Sequence, residues 1–503
     1  MKILELKKDK INGTLSFFDR IIINGYLLCL QNPRLFLFYL IQNDVKLKDF
    51  SEFSQKMTKK LCDHVEGYIK ENGVELQYIN NLKTDKGSLA RQEFDKHPDT
   101  KGLIAACSCV ELCRTMSVVP NKKKKQLETA SRFTKCKWYY LYFNDEEFGW
   151  MYIKIQTWFP YNVQIYINGR EYLSKLFDKQ DIEYTMFNNS FSHISDFEKA
   201  QEIADKALNQ KISSSFDGMI NKINPHMDNI NKTMNHTYYW CVEACEYATD
   251  ITFKDRKDLE SFYKKLVETS FYSFSCEDVY SFFGRNIKHM YKYKGDIIKD
   301  LRNRYEGYRI KFKMDANQLK MYDKYNSLRI EVTINNPKDF KVLKVDDESG
   351  EVGKWVPMGK SIANLYRYAE VSKSIIDRFI NALPEFELND VHLDDLKDIS
   401  KPVEDKGRKY SSFNIFNDDT LRLFKAVSSG DFLLKGFTNK DIRKIIYDSD
   451  DQKIICKTTR LLSKLKHHKL IKKVYKKNKY YLTDQGRRIC NNLFCYVNCS
   501  LLS

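Results

Sequence analysis

Two stretches in the front half of the chain, "KWYYLYFN" (residues 137–144) and "WMYIKIQTW" (150–158), are dense in aromatic and other apolar residues and are joined by the acidic turn "DEEFG". Strand-forming runs flanking a short polar turn fold back as an antiparallel hairpin. "NVQIYING" (162–169) reads as another strand, and "FFDRIIINGYL" (17–27) as an earlier one, with an Asn-Gly turn signal inside it. A sheet is therefore the first element any fold of this chain must accommodate. With 503 residues and 42% hydrophobic content the chain exceeds one compact core, and scarce Gly (19) and Pro (9) argue against long low-complexity regions.

Helical periodicity fills the gaps between strands. Phe53, Met57, Leu61, Val65 and Ile69 recur every four positions between Ser51 and Gly73, with Gly73 suited to the C-terminal cap. Two further helices, 170–178 and 195–210, complete an N-terminal α/β region over residues 1–215. The polar stretch "QKISSSFDGMINKINPHMDN" separates it from a middle α+β module, residues 231–384. That module holds a helix capped by Ser275 and Asp278 and stopped at Gly284, then "YRIKFKMDANQLKMYDKYNSLRIEVTIN" (308–335), which reads as a three-stranded antiparallel meander. A helix over 361–383 ends at Pro384, and 385–412 looks like a charged linker. The expected class is multidomain α/β or α+β.

Several functions are excluded by pattern. The longest apolar runs, "YLLCL" and "LFLFYLI", fall short of the roughly 20 residues that cross a bilayer, and "MKILELKKDKING" has charges where a signal peptide needs an apolar core, so a cytoplasmic protein without a membrane partner is expected. Thirteen Cys, an odd number, then read as free thiols. Cys107, Cys109, Cys113 and Cys136 lack the paired spacing of a zinc knuckle and are better read as core thiols. A phosphate-binding lysine loop, a dinucleotide glycine fingerprint and a nucleophile elbow are all missing, which weighs against ATP-driven and hydride chemistry.

The net charge of +17 is concentrated at one end: residues 401–503 carry 23 Lys and Arg against 10 Asp and Glu. Between Lys453 and Arg488 there are 13 basic residues and one acid, Asp484, where a plain solvated face mixes signs. From Asn417 the pattern is helix, helix, helix, hairpin, with a capping box from Thr438 to Asp441 and a turn near Lys477 and Asn478. On a helical wheel Lys453, Lys457, Arg460, Lys464, His467 and His468 share one side, opposite Ile455, Leu462 and Leu465.

This order of elements resembles a winged helix-turn-helix over residues 413–490, as in MarR-type regulators and many replication and transposition proteins. The resemblance implies that the third helix enters the major groove of duplex DNA, with Lys457, Arg460 and Lys464 facing base edges or phosphates. It also implies that Lys476, Lys477 and Lys479 touch phosphates from the wing. Lys320 and Lys324 on the meander are further candidates for nucleic-acid contact.

Four carboxylates on expected strands are candidate catalytic residues. Glu246 and Asp250 in "EACEYATDITF" are four apart, on one side of a strand, and Glu331 lies in "LRIEVTI". Asp250 and Glu331 are the pair expected to bind a divalent metal, Mg or Mn, for phosphodiester chemistry. The alternative is that these acids form cross-strand ion pairs with Arg329, Lys320 or Lys324. Asp19 in "FFDRIII" resembles the first-strand Asp of RNase H-like transposases and nucleases. "LKMYDK" with "LRIEV" resembles a strand pair of phage and plasmid replication initiators, with Tyr322 the nearest candidate nucleophile, though none of the nine His shows the initiators' His-apolar-His spacing. The whole chain also resembles a prokaryotic family of mobile-element proteins, a resemblance that brings no activity with it.

The sequence thus points to a DNA-binding protein whose C-terminal module recruits a large α/β region, with metal-dependent nuclease or transposase chemistry as its extension. The competing expectations are a non-enzymatic transcriptional regulator and an RNA-binding protein that stacks bases on the aromatic strands around 138–166, which requires those rings to be exposed.

Overall fold

The computed structural model describes residues 8–493 apart from 97, 188–189, 208–211, 305–306, 345–352, 384–398, 406, 415–416, 430–431, 433–434, 475–476 and 491–492. The chain is mixed α/β, with a large, mostly antiparallel sheet, and divides into two compact units. The larger comprises Gly13–Asp250 and Glu331–Lys373, the smaller Met1–Asn12, Ile251–Ile330 and Ser374–Ser503.

In the larger unit the strands are β1 (Ile11–Tyr26), β2 (Leu76–Tyr78), β3 (Gly102–Asn121), β4 (Gln126–Asp145), β5 (Gly149–Gln156) and β6 (Val163–Asn168). A small pair, β7 (Tyr184–Phe187) and β8 (Ser190–Ile194), and the long β9 (Tyr239–Phe253) follow. Their order in the sheet is β9-β1-β6-β5-β4-β3-β2. The hairpin expected from "DEEFG" is β4–β5, closing at Asp145 opposite Gly149. Residues from both sides of the polar stretch near 210–229 lie in this unit, because β9 bonds β1 through side chains: Ser16 to Thr249, Arg20 to Glu246 and Asn24 to Glu243. Partner numbers fall on one strand as they rise on the other, as antiparallel neighbours require.

The Asn-Gly pair in β1 does not turn the chain. Asn24 and Gly25 sit opposite Gln164 and Val163 within the sheet. A Cβ at Gly25 would lie 2.6 Å from the Trp240 ring, so this glycine gives an aromatic side chain room to lie flat on the strand. The helix Phe50–Glu71 buries Leu61, Val65 and Ile69 as its period demands, and Gly73 follows it at φ +70°. The helix Gly169–Asp178 starts on the Asn168 cap and packs Leu173 and Phe177 against Leu15 and Phe17 of β1.

The smaller unit holds β10 (Ile297–Arg304), β11 (Gly307–Met314) and β12 (Asn317–Lys324), and the chain division falls within β13 (Ser327–Ile334), whose residues from Glu331 on belong to the larger unit; the four are sequential neighbours, one strand more than the meander read from sequence. The Ser275–Asp278 capping box forms at the head of the helix Cys276–Phe282. Farther along, the helices Asp418–Val427, Asn439–Ile446 and Gln452–His467 and the hairpin of β14 (Ile471–Lys473) and β15 (Tyr480–Leu482) enclose one core that includes Leu423, Phe424, Phe437, Ile442, Leu462, Leu465 and Ile489. Ile399 and Phe413 belong to that core, and Val403–Asp405 pairs with Arg408–Tyr410. Ile399, residues 403–405 and residues 408–413 therefore pack onto the module, although their charge pattern reads as a linker.

Candidate metal centre and nucleic-acid interface

Three strands deliver three carboxylates to one place. Asp19 on β1, Glu246 on β9 and Glu331 on β13 are all buried and lie in the larger unit, and each offers an oxygen within 4.8 Å of those of the other two. Two guanidinium groups brace them: Arg20 Nη2 lies 2.7 Å from Glu246 Oε1, and Arg170 Nη1 lies 2.9 Å from Asp19 Oδ1. The Thr333 hydroxyl donates to Glu246 at 3.4 Å. Burial works to lower the Arg20 pKa, but the charge and hydrogen bond of Glu246, with help from Glu331, outweigh it and hold the pKa above the usual arginine value. Carboxylate oxygens are the hard donors that Mg and Mn take.

Asp250 is not in this group. It is buried, and its Oδ2 accepts a 3.2 Å hydrogen bond from Ser190 of β8. Four residues along a strand do share a side, yet they are about 13 Å apart, too far for two carboxylates to hold one ion. The carboxylate that joins Glu331 is thus Glu246, with Asp19, rather than Asp250. Arg20 and Arg170 were not singled out from sequence; their signals were the Asp-Arg dipeptide on β1 and the Asn-Gly-Arg helix start after β6.

On the helix Gln452–His467, Thr458, Leu462 and Leu465 are buried, while Lys453, Lys457 and Arg460 are exposed on the opposite side. Lys457 lies over the Tyr447 ring at 4.8 Å. The cationic face stops there. Lys464 donates to the Ser412 carbonyl at 2.7 Å and sits 4.1 Å from the Phe413 ring centre, and burial lowers its pKa. His467 stacks on Tyr410 and bonds Asp405 at 2.7 Å, and His468 is buried beside the Ser411 carbonyl. The wheel placed all three with the cations because the packing of residues 399–413 leaves no periodic mark in the helix.

In the hairpin Lys472, Lys473 and Lys477 are exposed and Lys479 is half-buried; Lys476 lies outside the described residues. Lys320 is half-buried opposite Lys311. Lys324 is buried, 5.4 Å from the Tyr322 ring centre, and Tyr322 stands opposite Arg309. The aromatic strands do not present an open stacking surface: Trp138 is 7% exposed, Tyr140 9% and Tyr142 4%, packed with Cys107, Cys109, Cys113 and Cys136 in one core. The four thiols are core residues. Among the described residues, Asp19, Glu246 and Glu331 are the group of His, Cys, Asp or Glu side chains close enough to share an ion.

No protein-family model, no curated protein and no solved structure matches the chain at a significant level.

Proposed function

We propose that the protein binds duplex DNA through its C-terminal module, used as a winged helix, with the helix Gln452–His467 in the major groove and the β14–β15 hairpin as the wing. The observation that carries this reading is the sidedness of that helix: three exposed cations within its first nine residues, opposite side chains that close the module's core. The N-terminal half of such a helix is the part that reaches base edges, so inward packing of Lys464, His467 and His468 leaves the interface intact. Lys472, Lys473 and Lys477 supply the flanking phosphate contacts. No helix among the described residues is long and apolar enough to cross a membrane. The test is fluorescence anisotropy of the full chain on duplex DNA: Lys457→Ala with Arg460→Ala is expected to weaken binding at least tenfold, and unchanged affinity overturns the assignment.

A second activity is favoured by the convergence of Asp19, Glu246 and Glu331 from three strands. On this reading the three carboxylates hold one Mg or Mn ion, and Arg20 and Arg170 fix the orientation of two of them. A bound divalent ion supplies Lewis-acid stabilisation of charge developing at a phosphorus centre. Arg20, with its side chain 41% exposed, is placed to pair with a phosphate oxygen as well as with Glu246. Metal-dependent nicking of duplex DNA that disappears in Glu331→Gln supports this extension; DNA binding with no such activity identifies the chain as a non-enzymatic regulator.

A further inference from the structure

The β3–β4 hairpin is far longer than its neighbours. Its two 20-residue strands pair from Gly102–Asn144 out to Asn121–Gln126, whereas β2 pairs only with Ala106–Ser108 of β3 and β5 pairs only with Trp138–Asp145 of β4. Past Ser108 and Trp138 the hairpin continues as a two-stranded ribbon. Backbone and side-chain bonds anchor it along its length: Gln156 to Arg114, Phe159 and Trp158 to Met116, and Thr129 to Pro33.

The sequence of this ribbon is not that of a core element. From Leu112 to Lys135 it carries seven Lys and Arg, namely Arg114, Lys122, Lys123, Lys124, Lys125, Arg132 and Lys135, against one acid, Glu128. Glu128 is occupied by the Asn121 side chain at 2.9 Å. The four lysines are consecutive and exposed in the connecting turn, which Asn121 shapes by accepting the backbone N–H groups of Lys123 and Lys124. Just behind them Pro120 and Leu127 face each other across the strands, both exposed. Lower down, Leu112 opposite Lys135 and Arg114 opposite Phe133 make an alternating apolar and basic face on which Phe133 is 73% and Leu112 68% exposed.

A ribbon with these properties matches a polyanion whose charged backbone flanks base edges and base steps that apolar side chains can touch. A two-stranded ribbon fits the grooves of duplex DNA, lysines neutralise the phosphates on either side, and apolar tip residues contact or wedge base steps. We propose that the β3–β4 ribbon is a second duplex-DNA contact of this protein, with Lys122 to Lys125 on phosphates and Pro120, Leu127 and Phe133 against the groove. This inference rests on the proposal that the C-terminal module binds duplex DNA, and adds a site on the larger unit that the charge distribution of the sequence hides, because acids elsewhere in the N-terminal region cancel its surplus. An anionic lipid surface is the competing occupant.

The experiment uses the full chain and a duplex of about 30 base pairs, with affinity measured between low and moderate salt for wild type, Lys122→Gln/Lys123→Gln/Lys124→Gln/Lys125→Gln, Phe133→Ser, and Lys457→Ala/Arg460→Ala. The four-lysine variant is expected to bind about tenfold more weakly and to have a log-log salt slope shallower by about two or more, since each phosphate contact contributes about 0.9. Phe133→Ser removes no charge and is expected to lower affinity while leaving the slope unchanged. All substituted side chains are exposed, and an unaltered melting temperature checks that the fold is intact. If wild type fails to bind duplex DNA at all, the C-terminal reading falls and this inference with it. If wild type binds and Lys457→Ala/Arg460→Ala weakens it while the four-lysine variant matches wild type, the ribbon inference alone is overturned. Loss of binding to phosphatidylserine vesicles in the four-lysine variant, with DNA binding intact, likewise overturns it.

Discussion

The guanidinium of Arg20 lies 2.7 Å from the carboxylate of Glu246, and the residue next to it, Asp19, is held in the same way by Arg170 at 2.9 Å. The carboxylate group is therefore braced by charge before any ion arrives. Removing Glu246 leaves Arg20 with the weaker attraction of Glu331. Glu246→Gln is expected to cost about 1–3 kcal/mol in urea unfolding, less than a fully buried pair because water screens Arg20. Unchanged stability would show that the pair contributes nothing to folding.

If Asp19, Glu246 and Glu331 share an ion, Mg or Mn is expected to stabilise the folded chain by mass action. At about 100 times the dissociation constant the gain is about 2.7 kcal/mol, seen as a raised melting temperature. Glu331→Gln is expected to abolish the shift while retaining DNA affinity. The same metal response in wild type and in Glu331→Gln would show that the ion binds elsewhere.

Much of this arrangement was legible in the sequence, and the illegible part has a physical pattern. Period-2 and period-3.6 runs marked β11 to β13 and the helix Phe50–Glu71, because each buries one face along its own length, whereas β3 (Gly102–Asn121) and the helices Pro33–Gln42, Lys86–Lys96 and Ile212–Ile223 were not read. Asp19, Glu246 and Glu331 stood out as acids on apolar strands, but the choice of Glu246 over Asp250 depends on how β9 lies against β1, and register is a property of two strands at once. Arg170 was invisible for the same reason: it reaches Asp19 only because the helix Gly169–Asp178 packs against β1. Lys464, His467 and His468 looked cationic and exposed because what covers them, Asp405 and residues 410–413, reads as a charged linker.

That packing leaves little tolerance at Gly169. A Cβ there would lie 1.8 Å from the Phe18 carbonyl oxygen and 3.3 Å from that of Asp19. Gly169→Ala is expected to destabilise the protein by about 2–4 kcal/mol, as backbone clashes do in cores, and to weaken any metal response by displacing Arg170. Wild-type melting and metal response in this variant would mean that the helix start can shift without disturbing the carboxylates.

His226 sets an acid limit on stability. It is fully buried, its Nε2 lies 2.9 Å from the Met57 carbonyl, it stacks on Tyr161, and burial lowers its pKa to about 4. The imidazole is thus neutral in the folded state, while the unfolded chain takes up a proton below about pH 6.5. Its contribution is complete above pH 6.5 and is lost as pH falls toward 4, a change of about 3 kcal/mol. Urea unfolding across this window is expected to show that slope in wild type and a flatter one in His226→Phe. Parallel profiles would assign the acid sensitivity to other groups.

The central claim is that the exposed cations of the helix Gln452–His467 hold duplex DNA. Its most direct measurement is the salt dependence of duplex binding by the full chain, compared with a variant carrying Lys453→Ala, Lys457→Ala and Arg460→Ala. Wild type is expected to lose affinity steeply with salt, by about 0.9 in log-log slope for each phosphate neutralised, and the variant is expected to bind more weakly with a slope shallower by about one to three. No binding by wild type, or a variant whose affinity and slope equal those of wild type, would contradict it.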